Sequence, residues 1–277
     1  MQGRPGLNPL RFEKTYYVDQ AHYDMVKSLA AVTKINASKE YSIKNGYSAP
    51  FSEGTMPFGT SMFVLADQNR IDSTPNKTDM ARIEGEIREA RRQADVVLVS
   101  IHAHETDGED TTAPAQFIQK FAKRCIDVGA SAVIGHGPHE LRGIEVYNGG
   151  VIFYSLGNFL FETDTVDLQP YDAYLNKCMP LDTKVGAYMD ARSKNGTAGY
   201  GVLKNIWRSV IAGWTMEDGK IAQIQLYPIT LGMEDPRPQK GVPRLAPDIQ
   251  VLEYLQTLCE TFHTSIRIEN NVGYIDL

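Results

Sequence analysis

The chain has 277 residues, 28 Lys and Arg against 34 Asp and Glu, a formal net charge of −6 at pH 7 and an apolar share of 42%. That length can bury a sizeable core, and an acidic balance gives no support for binding nucleic acid or an anionic membrane, both of which favour basic patches. Three widely spaced cysteines, Cys125, Cys178 and Cys259, suggest neither a disulfide framework nor a zinc cluster, and no apolar run is long enough to span a bilayer.

A Gly/Pro-rich loop, Gly3 to Pro9, comes first, and the opening residues Met1 to Gly6 show no apolar core of a signal peptide. Asp19 can cap a helix over about 19–33, in which Met25, Leu29 and Val32 recur near helical spacing. Residues 36–60 are rich in Ser, Asn, Gly and Lys and read as a loop. Ser61 to Ala66 is a short strand, and Asp67 to Thr78 is turn-like. An α/β rhythm follows. Asp79 to Gln93 is a helix with Ile83, Ile87 and Ala90 inward, and Val96 to Ile101 is a buried strand. Thr106 to Thr112 is a polar loop. Pro114 opens a helix to Val128, with Phe117, Phe121 and Cys125 at four-residue spacing, and Gly129 ends it. Ala132 to Ile134 is the next strand. Ile144–Tyr147 and Val151–Tyr154 flank Asn148-Gly149-Gly150, a hairpin signal. Residues 162–204 show no sustained period and read as a long loop or insertion, a common carrier of function. Two strands, Trp207 to Thr215 and Lys220 to Ile229, surround Glu217-Asp218-Gly219. A proline-rich connection, Pro236 to Pro247, leads to an amphipathic helix over 248–262, with Leu252, Leu255, Cys259 and Phe262 on one side. A strand pair over 265–277 ends the chain. Continuous apolar strands separated by helices imply a sheet covered on both faces.

Four of the six histidines lie at two strand ends. His102 and His104 follow Val96–Ile101, and His136 and His139 sit in the turn Gly135-His136-Gly137-Pro138-His139. Neutral imidazole is the commonest metal ligand, and glycine lets the backbone aim both rings inward. His102 and His104 alternate on extended chain, so both point one way. The competing account is a polar turn whose histidines bond only nearby backbone. Glu105 follows the first pair, open to roles as acid/base, as partner to a histidine, or as a surface group. Asp107, Glu109 and Asp110 read as a solvated loop. Carboxylates beside histidines suit Mn, Fe or Zn. Asn158 can orient a ligand or shape its turn, and Arg142 can meet an anionic substrate or form a structural ion pair. His22 and His263 read as structural.

The run Val133-Ile134-Gly135-His136-Gly137-Pro138-His139-Glu140-Leu141-Arg142-Gly143-Ile144-Glu145-Val146-Tyr147, followed by Ile152-Phe153-Tyr154-Ser155-Leu156-Gly157-Asn158-Phe159, resembles the bacterial capsule-synthesis (CapA) family, also called the poly-γ-glutamate synthesis family. That family is similar to calcineurin-like metallophosphoesterases. Gly3 to Arg11, Ser100-Ile101-His102 and Gly241 to Ala246 extend the likeness over nearly all of the chain, which is expected to be a single domain, 1–277. The resemblance implies an α/β fold: a layered α/β/β/α metallophosphoesterase-like sandwich, here incomplete at the N-terminal side. It also implies a centre for two divalent metal ions (Mn, Fe or Zn). His102, His136 and His139 are the implied ligands, His102, His104 and Glu105 the catalytic groups, and Asn158 and Arg142 the substrate contacts. Many relatives have His-Pro-His where this chain has His136 and then Gly137, so His136 must reach from one residue earlier. The early Gly-Asp and middle Asn-His/Asp motifs of such sites are not found, and a histidine-only half site should hold metal weakly.

The implied function is metal-dependent hydrolysis of a phosphoester-like bond in capsule or poly-γ-glutamate biosynthesis. The alternatives are a non-catalytic accessory or polymer-binding protein, or an inactive fragment. The implied partners are an anionic polymer or phosphorylated substrate and capsule-synthesis proteins. Members are often exported or membrane-associated, which leaves the location of this chain open.

Overall fold

The structure, a computed structural model, describes residues 6–277. Gly3 to Pro5 of the opening loop lie outside the described residues. The fold is mixed α/β, and the chain divides into two compact units, one of residues 1–83 with 115–121, the other of residues 84–114 with 122–277.

In the first unit, the aromatic and β-branched run Phe12–Val18 forms β1, a strand absent from the sequence-based expectations. Asp19 caps the next helix, α1 (Gln20–Thr33), by accepting a bond from the His22 backbone N–H, as its position predicts. The apolar residues at helical spacing do not face inward. Met25, Leu29 and Val32 are exposed, and Ala30 is the buried residue of α1. Helical spacing identifies a stripe but does not supply an element to cover it. The expected loop over 36–60 holds a helix, α2 (Ala37–Lys44), and a strand, β2 (Thr55–Phe58). β3 (Ser61–Leu65) lies close to its expected position, and the expected turn after it contains β4 (Arg70–Pro75). These strands form one sheet in the order β2-β3-β1-β4, with β1 parallel to β3 and antiparallel to β4. Asp79, buried near the start of α3 (Lys77–Gln93), accepts bonds from the Arg11 backbone and guanidinium and from Arg82. Those bonds, Arg11's first, hold its carboxyl well below the usual carboxylate range.

In the second unit, β5 (Leu98–His102) is the edge of a four-stranded sheet ordered β5-β8-β10-β9. It is therefore less buried than its apolar run suggests, with Leu98, Ser100 and His102 exposed. The polar loop after it is a small hairpin of β6 (Thr106–Asp107) and β7 (Asp110–Pro114). Helix α4 (Gln116–Asp127), whose residues up to 121 belong to the first unit, begins two residues past Pro114, with Phe117, Phe121 and Cys125 buried as their spacing predicts. β8 (Ala132–His136) runs parallel to β5 and to β10 (Gly150–Phe153), and the Asn148-Gly149 turn joins β10 to antiparallel β9 (Ile144–Tyr147).

Residues 162–204 are structured where a loop was expected. They hold α5 (Tyr171–Leu175), α6 (Val185–Ser193) and short 3-10 turns, and Tyr174, Tyr188 and Met189 form a small core there. A second, antiparallel sheet has the order β11-β12-β15-β14. Its strands are β11 (Arg208–Glu217), β12 (Lys220–Thr230), β14 (Arg267–Glu269) and β15 (Val272–Asp276), and β13 (Arg244–Leu245) adds to β12. Helix α7 (Gln250–Cys259) is amphipathic as predicted. Its Leu252, Leu255 and Cys259 share one apolar core with Val151 and Phe153 of the first sheet and Ile224 and Leu226 of the second. This core fixes the far ends of β8 and β10 and so the turns that leave them.

Candidate functional site

The parallel pairing of β5 and β8 places His102 directly beside His136, so both side chains leave the same face at the carboxyl edge of the sheet. The Ala103 N–H donates to the His136 carbonyl and carries the alignment past the strand ends. From there each segment delivers its second histidine. The His102 and His104 Nε2 atoms lie 3.2 Å apart. The rings of His104 and His139 are 5.6 Å apart, centre to centre. The structure thus gathers the four histidines in the spatial order 136, 102, 104, 139.

Glycine makes the turn possible at two points. A Cβ at Gly135 would collide with the carbonyl of Tyr154, just past the end of β10. Gly137 has φ +122°, and a Cβ there would lie 2.8 Å from the Ala103 carbonyl oxygen. His139 itself takes a left-handed φ of 63°, a conformation that a bulky residue holds only where its surroundings demand it.

Asn158 supplies that demand. Its Nδ2 donates to the carbonyls of His139 and Ile206, both at 3.0 Å. Both amide donors are then used, so the atom facing His139 is the acceptor Oδ1, 2.9 Å from Nδ1. His139 must therefore carry its proton on Nδ1, and its Nε2 keeps a lone pair. A histidine fixed in this tautomer by a neighbour is prepared for ligation.

His136 is an exposed residue, yet its ring is partly desolvated, and that burial, with nearby His102 second, lowers its pKa. Arg142 is 1% exposed. Its guanidinium donates to the carbonyls of Thr111 (3.0 Å), Glu105 (3.2 Å) and His104 (3.4 Å). Burial lowers its pKa to about 10, against the opposing charges of Glu140, Glu105 and Asp110. It braces the segment that carries His104 from beneath. Glu105 is exposed, and Asp110 is engaged with Thr112. Phe161, which sequence reasoning passed over, sets its ring 5.8 Å from His139 and 5.6 Å from Trp207. Its only signal is a third apolar residue after Asn158.

Two nitrogens bound to one tetrahedral zinc at about 2.0–2.1 Å lie about 3.3 Å apart, so His102 and His104 have ligand spacing. Among the described residues, no group of three or more His, Cys, Asp or Glu closes on a single metal position. The donors gathered here amount to the His102/His104 pair, with the His139 ring 5.6 Å from that of His104, and among the described residues they supply no carboxylate bridge between two ions.

Fold and site together define an α/β protein with clustered imidazoles at the carboxyl ends of parallel strands in a mixed sheet. The chain belongs to the bacterial capsule synthesis protein PGA_cap family, whose sequence profile it matches over residues 22–163. It is 36% identical to the uncharacterized proteins y4sH and y4uA of Sinorhizobium fredii over 99% of its own length and 59% of theirs. It is 33% identical to the PGA biosynthesis protein CapA of Bacillus subtilis over 49% of this chain and 37% of that one. The capsule biosynthesis protein CapA of Bacillus anthracis is 44% identical over a shorter stretch, 25% of this chain and 16% of that one. The chain thus spans about three fifths of the length of the Sinorhizobium relatives it matches.

Proposed function

We propose that this chain carries the histidine part of a metal-assisted hydrolase site acting on phosphoester-like bonds in capsule or polyglutamate biosynthesis. The overall layout would be a metallophosphoesterase-like sandwich, with the two sheets of the second unit as its layers. The observation that carries the reading is the prepared His139. A strained turn and a spent amide leave its Nε2 with a lone pair, and its ring lies 5.6 Å from that of His104, one of an imidazole pair at ligand spacing.

In this reading the His102/His104 pair seats a divalent cation (Mn, Fe or Zn), with the His139 ring beside it. A bound cation supplies Lewis acidity and an activated water. His136, whose pKa is lowered by burial first and by nearby His102 second, serves as the proton acceptor. Asn158 and Arg142 act by positioning rather than by touching substrate: Asn158 fixes the tautomer of His139, and Arg142 holds the backbone of His104 and Glu105. Glu105, exposed on the segment after His104, would serve as the acid toward a leaving group.

The test is metal content by mass spectrometry on the purified chain after loading with Mn or Zn, followed by hydrolysis of bis-p-nitrophenyl phosphate. The expected result is one ion per chain at most, lost in His102→Ala and His139→Ala, with hydrolysis following the metal. A chain that takes up no metal and leaves the ester intact sinks the proposal.

A further inference from the structure

After Asn158 the chain leaves the histidines with three apolar residues in a row, Phe159-Leu160-Phe161. Phe161 turns inward. Its ring lies 5.8 Å from His139 and packs against the cluster of Ile206, Trp207 and Leu231. Phe159 and Leu160 do not follow it, and are 59% and 57% exposed. A second stretch runs beside them. Asn158 Nδ2 donates to the carbonyls of His139 and Ile206, and the Ile206 N–H donates to the Leu203 carbonyl at 3.2 Å. The turn so formed begins with Val202 and Leu203, both exposed. One amide thus ties two stretches that lie far apart in the chain to His139, and together they form an apolar lip.

The core at this end is closed by Ile206, Trp207 and Leu231 without these four side chains. Single exposed leucines are ordinary on a protein surface, but several gathered in one place mark a contact. Position identifies the contact. A protein partner or a membrane seated on the lip would also cover the histidines and shut substrate out. An apolar arm of the substrate itself would leave its reactive end free to reach them. The charge agrees. Across 158–161 and 202–207 the only charged side chain is Lys204, which is exposed, so the lip joins apolar surface to a single cation and suits an anionic head on an apolar tail.

We propose that the phosphoester received by the histidines carries a hydrocarbon chain, and that Phe159, Leu160, Val202 and Leu203 bind that chain. The inference rests on the hydrolase reading of the site, of which it names the substrate class.

Calorimetry on the full chain, with and without Zn, compares n-octylphosphonate with methylphosphonate below the micelle-forming concentration. Neither probe has an ester to lose, so the measurement needs no turnover. Octylphosphonate is expected to bind wild type about tenfold or more tightly than methylphosphonate, because its methylenes leave water. Phe159→Ser/Leu160→Ser is expected to bring that ratio close to one, and Leu203→Ser to lower it. Leu29→Ser, at an exposed apolar residue of the first unit, is expected to keep it. The cation n-octyltrimethylammonium, with the same tail, is expected to bind more weakly than octylphosphonate. The proposal is overturned if neither phosphonate binds, if both bind wild type equally, if the double variant keeps the wild-type ratio, or if the octyl cation binds as tightly. Neutral phosphatidylcholine vesicles are the last probe. Vesicle binding lost in the double variant, with a phosphonate ratio of one in wild type, would make the lip a membrane contact and overturn the proposal as well. Failure of the hydrolase reading shows separately, as a chain that takes up no metal and leaves bis-p-nitrophenyl phosphate intact.

Discussion

Asn158 shows how much one amide can decide. Its two donors are committed to main-chain carbonyls, so its oxygen dictates where His139 keeps its proton. Asn158→Ala is expected to weaken metal binding by about 10–100-fold, the usual effect of losing a group that orients a ligand. Nitrogen NMR of the imidazole should show the Nδ1–H tautomer in wild type and a mixture in the variant. An unchanged tautomer would remove Asn158 from the account. From sequence, Asn158 is visible as a polar residue at a strand end, but its partners lie 19 and 48 residues away. Arg142 is similar. Its place near the histidines is plain, while its burial beneath the His104 segment depends on the fold of a hairpin some thirty residues upstream.

At the scale of elements, local pattern and packing contribute separately. The turn after β8 was legible because glycine at 135 and 137 signals close backbone approach, and the structure supplies the neighbours, Tyr154 and Ala103. Gly137→Ala combines a left-handed φ with a backbone collision and is expected to cost about 2–4 kcal/mol. Chemical denaturation measures that cost, and a cost below about 0.5 kcal/mol would mean that the turn relaxes freely. α4 and α7 were legible for the opposite reason: their apolar stripes are covered, so spacing and burial agree. α1 has comparable spacing with its stripe exposed. The strands β1, β2 and β4 are not announced by local sequence, because a strand gains much of its stability from neighbours in the sheet, and this holds even for the aromatic and β-branched run of β1.

The whole molecule has two compact units, and they differ in what holds them. The second is organised by the core that α7 shares with both sheets. The first depends on polar joints, above all Asp79. Because Asp79 is more acidic folded than unfolded, its contribution is complete above the unfolded carboxylate value of about 4 and fades as pH falls through the folded value. Asp79→Asn should therefore melt earlier than wild type near pH 7, with the gap narrowing as acid is added. Thermal melts at a series of pH values check this, and a gap that stays constant into strong acid would count against it. The sequence by itself determined the α/β class, the helices whose stripes are covered, the family resemblance and the four histidines at two strand ends, because these follow from local periodicity and from residue types at fixed spacing. Tertiary structure alone decided that the two histidine pairs meet, that Asn158 sets a tautomer, that Arg142 is a brace, and that an apolar lip lies beside His139. Each of these depends on contacts between segments far apart in the chain, and no local pattern encodes which distant surfaces will be brought together.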